Sequence, residues 1–82
     1  MSRYYFHIRD GDDLAEDREG AEFASIELAR DEAFRSAREI LAQRLLNDEV
    51  IDGQAFEITD EQGHLVERVP FRAAMRFPIS DN

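Results

Sequence analysis

The chain has 82 residues, enough for one domain, and sets 19 acidic against 10 basic residues for a net charge of −9. With 43% hydrophobic and 10% aromatic residues it is too apolar to stay a disordered acidic chain, and it predicts a thin single core that buries only about 60% of the unfolded surface. The negative charge repels phosphate, so neither nucleic acid nor an anionic membrane is expected as a partner. All basic residues are Arg, which removes lysine chemistry, and the absence of cysteine removes disulfides, thiolate nucleophiles and cysteine metal sites. No stretch reaches the ~20 apolar residues of a membrane span and the first residues lack a signal-like apolar run, so a cytoplasmic protein is expected.

Residues 3–9 alternate, with Tyr4, Phe6 and Ile8 on one face and Tyr5, His7 and Arg9 on the other, which predicts a half-buried strand. Asp10-Gly11-Asp12 ends it and predicts a hairpin to a short second strand over Asp13 to Asp17. From Ser25, the expected N-cap, the period turns helical: Ile26, Ala29, Ala33, Ala37, Ile40, Leu41 and Leu45 recur at spacings of three and four, with Phe34 on their flank. The opposite face, with Asp31, Arg35 and Glu39, reads as a solvated surface. A second hairpin follows, with Phe56 and Ile58 facing one way and Glu57 and Thr59 the other, then an Asp60-Glu61-Gln62-Gly63 turn and a returning strand over 64–71. If Ile58 pairs with Leu65, then Leu65, Glu67, Val69 and Phe71 face inward, and Pro70, which has no N–H to donate, places this strand at a sheet edge.

These elements predict a two-layer α+β fold in ββαββ order, one long helix on a four-stranded, mainly antiparallel sheet, over residues 1–74, with 75–82 as a C-terminal tail. A right-handed crossover sets the third strand beside the first, for a spatial order of second, first, third, fourth. A helix over about 26–48 spans roughly 34 Å, against about 23 Å for a seven-residue strand. The overhanging end carries Leu45 and Leu46, with Val50 and Ile51 close behind, and this much apolar surface calls for a cover: the tail residues Met75, Phe77 and Ile79, or a second subunit.

Chemistry is harder to find. His7 with Asp10, Asp12 and Asp13 has the composition of a general base beside carboxylates, yet no nucleophile or phosphate cradle converges on it. The acid-rich run from Asp10 to Glu22 fails the calcium-loop pattern, because from Asp10 the fifth, sixth and twelfth positions are Leu14, Ala15 and Ala21. His64 stands in a turn without a second histidine for zinc. No catalytic, metal-binding or cofactor-binding residue is therefore assigned, and no cofactor is expected. The outer sheet face, with Tyr5, His7 and Arg9, has the Tyr and Arg content of a docking surface.

Arg3-Tyr4-Tyr5-Phe6-His7-Ile8-Arg9-Asp10-Gly11, Asp17-Arg18-Glu19-Gly20-Ala21-Glu22, Ala29-Arg30-Asp31-Glu32-Ala33 and Phe56-Glu57-Ile58-Thr59-Asp60-Glu61-Gln62-Gly63 leading to Val69-Pro70-Phe71 together resemble one family of small bacterial proteins, known only as a domain of unknown function. The resemblance covers about residues 3 to 74 and implies no activity and no site. Glu67 departs from it, at a position where an apolar residue is expected, and suggests a charge paired at an interface. The leading expectation is a non-enzymatic interaction module that self-associates, as a homodimer or with another protein, through Tyr5, His7, Arg9, Leu45, Leu46, Val50, Ile51 or Glu67. The alternatives are an acidic, antitoxin-like regulator of a basic partner and a small enzyme using His7 and the acidic loop.

Overall fold

The structure, a computed structural model, describes residues 1–48 and 53–76, the last two by their backbone. In chain order the elements are β1 (Ser2–Asp10), β2 (Asp13–Ala15), β3 (Ala21–Phe23), α1 (Ile26–Leu46), β4 (Ala55–Thr59), β5 (Leu65–Pro70) and α2 (Phe71–Arg76). The strands form one antiparallel sheet in the order β2-β1-β4-β5, with β3 also paired to β1. This is the expected two-layer α+β fold with the expected strand order, and β5, which ends in Pro70, lies at an edge. Among the described residues no helix is long and apolar enough to cross a membrane.

The alternation in β1 turns Tyr4, Phe6 and Ile8 toward α1, and the registers Phe6 to Ile58 and Ile8 to Phe56 stack the inward residues of β4 beside them. Against this layer α1 sets Ala29, Ala33 and Ala37, each 0% exposed, followed by Leu41. A four-residue spacing keeps these on one helix face, and their single methyl groups let the helix backbone approach the sheet closely. Phenylalanine rings fill the space on either side. Phe23, Phe6, Phe56 and Phe71 touch in sequence, at centroid separations of 5.8, 6.0 and 5.0 Å, from β3 across the sheet to α2. The resulting plate measures 37 × 36 × 17 Å, the thickness of one helix layer on one sheet.

The Ser25 hydroxyl accepts the Leu28 N–H at 3.2 Å and caps α1 as expected. Four details differ from the sequence reading. The second strand ends at Ala15 rather than Asp17, because Asp17 meets β1 with its side chain instead of its carbonyl. An additional strand, β3, returns along β1 before the helix. A bulge in the second hairpin pairs Thr59, not Ile58, with Leu65 and sets Ile58 opposite Glu67, which leaves Leu65 58% exposed rather than in the core. Residues 71–76, read as strand end and tail, form α2, whose Phe71 N–H donates to the Gln54 carbonyl at 2.9 Å and whose Phe71 and Ala74 are buried. The length mismatch also shrinks: at 21 residues α1 is about 31 Å long, and at nine residues β1 is about 30 Å. Leu45 and Leu46 nevertheless stay 62% and 79% exposed. Val50, Ile51, Phe77 and Ile79, together with the Met75 side chain, lie outside the described residues.

The alanine stripe sets a direct test. Ala33→Leu inserts three carbons at a position that is 0% exposed and is expected to lower the unfolding free energy by about 1–3 kcal/mol in urea titration.

Candidate functional site

The face of the sheet turned away from α1 carries the side chains that the alternation of β1 and β4 sends outward. Tyr5 lies opposite Thr59, His7 opposite Glu57, and Glu57 in turn opposite Arg68. The Tyr5 and His7 rings lie parallel within 6° at 6.4 Å, as residues two apart on one strand face should. Beside them the Arg9 guanidinium donates to the Glu57 carboxylate at 3.1 Å.

The organising feature is the Glu16–Gly20 segment. Ile8 faces Ala15 and Tyr4 faces Ala21, so these five residues lie opposite only three of β1, Tyr5 to His7, and the edge strand bulges there. Regular pairing would give the Phe6 N–H a backbone carbonyl; instead the Asp17 carboxylate accepts it at 3.0 Å. The same carboxylate accepts the N–H groups of Glu19 and Gly20, at 3.2 and 3.1 Å, and folds the segment around itself. The Asp17 N–H donates to His7 Nδ1 at 3.0 Å, and His7 Nε2 lies 3.1 Å from the Thr59 hydroxyl oxygen. Because Nδ1 accepts, the ring proton sits on Nε2 and is donated to Thr59. Gly20 closes the loop at φ +68, where an added Cβ would lie 2.8 Å from the Tyr4 carbonyl oxygen and 2.9 Å from the Tyr5 ring.

Partial burial alone would raise the Asp17 carboxyl, but the N–H bonds from Phe6, Gly20 and Glu19, with a further contribution from His7, outweigh it and hold the group below its ordinary value of 3.8. Asp60 is lowered in the same direction, first by the His64 N–H and then, against slight burial, by those of Gln62 and Gly63. Its carboxylate accepts the Gln62 and His64 N–H groups at 2.9 Å each and closes the β4–β5 turn.

This arrangement is built to hold a loop. The Nδ1 lone pair that a general base would offer to a substrate already accepts a backbone N–H. The acid at His7 is Asp17 rather than Asp10, Asp12 or Asp13; Asp10 instead accepts from the Gln54 amide at 3.2 Å. Among the described residues no three His, Asp or Glu side chains converge as metal ligands. Tyr5, His7 and Arg9 thus come together on one face, while Leu45 and Leu46 stand apart at the end of α1. Glu67 faces the helix layer, where Arg30 of α1 reaches it at 3.9 Å. In the sequence Asp17 is one member of the acid-rich run from Asp10 to Glu22, and its structural part is not read from it. One signal was present: Asp-x-x-Gly occurs at Asp17–Gly20 and again at Asp60–Gly63, and both carboxylates gather the N–H groups that follow.

What these residues assemble is a small two-layer α+β domain whose sheet turns one polar, hydrogen-bonded face away from the long helix. The chain belongs to the family described as a domain of unknown function (DUF6894), whose model matches residues 3–72. That agrees with the resemblance read from the sequence. No curated protein and no solved structure matches the chain.

Two outcomes are expected. Gly20→Ala forces a left-handed backbone on a residue with a Cβ and drives that Cβ into Tyr4; it should cost about 2–3 kcal/mol in denaturant unfolding and shift the NMR signals of Tyr5 and His7. For pH, a carboxyl held below its unfolded value contributes stability above about pH 4 and loses it as pH falls through the folded value. The thermal midpoint of the wild type should therefore drop more steeply below about pH 4 than that of Asp17→Asn, which starts lower at neutral pH because an amide offers one acceptor oxygen for three donors. Parallel pH curves for the two proteins would contradict the place given to Asp17.

Proposed function

We propose that this chain is a non-enzymatic protein-interaction module that associates with a second copy of itself. The observation that carries the reading is the exposure of Leu28, Leu45 and Leu46, at 50%, 62% and 79%, on the long helix of a domain whose fully buried large side chains, among the described residues, are Phe71, Ile58 and Val69. So small a core gains from burying more apolar surface, and large apolar side chains along one helix are what an interface uses. The engagement of both His7 nitrogens supports this reading over the enzymatic alternative. The reading takes the chain as cytoplasmic, since without cysteine it draws no stability from an oxidising compartment.

Sedimentation velocity over about a hundredfold range of protein concentration tests the proposal. A sedimentation coefficient that rises with concentration toward the dimer value is the expected outcome. A strictly monomeric profile throughout would overturn it.

A further inference from the structure

Leu28, Glu32, Arg35, Glu39, Ala42 and Leu46 follow one another along α1 at spacings of four, three, four, three and four, the repeat of a coiled-coil seam. This line runs along the helix face opposite the buried Ala29, Ala33, Ala37 and Leu41, and all its members are exposed except Glu32, which is partly so. Its order is self-complementary. When a second copy is laid antiparallel so that Leu28 meets Leu46, Arg35 meets Glu39 and Glu32 meets Ala42, and each contact recurs about the two-fold axis. The same alignment sets every position of one seam class opposite the other class, as antiparallel seams require, and a shift of one residue would bring Arg35 against Arg38. Within its own chain Arg35 pairs with Glu32, whereas Glu39 has no ion-pair partner among the described residues.

We infer that α1 forms an antiparallel two-fold contact with α1 of a second copy, sealed by Leu28–Leu46 at both ends and set in register by Arg35–Glu39 at its centre. The inference rests on the self-association proposed above and adds its surface, orientation and register. A helix pair about 27 Å long buries less than the ~1,600 Å² of a standard interface, so the dimer dissociates readily and its population follows concentration.

Charge exchange at the centre tests this surface. Arg35→Glu alone and Glu39→Arg alone each place like charges together twice per dimer and should weaken dimerisation roughly tenfold, whereas the double variant carrying both changes restores opposite charges and should recover most of it. Circular dichroism melts of the three variants check that the monomer fold is kept. In addition, the native chain has no cysteine, so Glu32→Cys mixed with Ala42→Cys should give a disulfide-linked heterodimer. Neither variant alone should do so, because like positions lie about 15 Å apart along the axis. Dimerisation indifferent to both reversals, or cross-linking of each single variant as readily as the mixture, would overturn the α1 contact while leaving self-association standing. A wild type monomeric at every concentration would overturn both.

Discussion

The Asp17 carboxylate allows β1 to be shared. β1 pairs with three strands, and between the stretches taken by β2 and β3 the Phe6 N–H would lose its partner where the edge strand bulges. A partly buried N–H without an acceptor carries a penalty comparable to a lost hydrogen bond, and here a side-chain oxygen at 3.0 Å removes it. Phe6 is also the ring that joins Phe23 to Phe56, so the residue whose backbone Asp17 satisfies on the outer edge is the one whose side chain spans the inner face. Edge, outer face and core therefore meet at one backbone amide.

On the inner side the same economy of space governs α1. Three alanines bring the helix close, and the aromatic rings close the gaps that such small side chains leave. A plate this thin has two broad surfaces. One is the outer sheet face, a polar lattice in which Arg9, Glu57, His7 and Thr59 are engaged with one another or with the loop. The other is the outward side of α1, where leucines flank alternating charges. The first holds the loop in place, and the second has the composition and spacing of a self-complementary surface.

Much of the fold was legible because it depends on periodicity and punctuation. The alternation over 3–9, the helical stripe from Ile26 to Leu41, the Ser25 cap, Asp10-Gly11, Gly63 and Pro70 each act within a few residues of themselves, so the α+β order and the strand order followed from them. The bulge in the second hairpin was not legible: one extra residue on β5 slips Leu65 against Thr59, and where such a residue is inserted is decided by strand pairing rather than by any local pattern, while Glu67 faces inward in either register and meets Arg30 on a different element. The α2 helix was hidden for a similar reason. A six-residue helix has little stability of its own and persists here because Phe71 and Ala74 pack into the core and Gln54 caps it from across the chain.

The candidate site divides along the same line. By itself the sequence determined which side chains share a face, because a period of two or of 3.6 is a local property: Tyr5, His7 and Arg9 on the sheet, and Ala29, Ala33, Ala37 and Leu41 on the helix. Only the tertiary structure decided what those side chains do. Whether His7 offers a lone pair or spends it depends on a backbone N–H ten residues away and a hydroxyl 52 residues away. Whether Asp17 is a solvated charge or a structural acceptor depends on the two extra residues in an edge strand. Such contacts exist only once the chain has closed on itself, since their strength comes from exact placement at close to 3 Å and no local pattern encodes that distance.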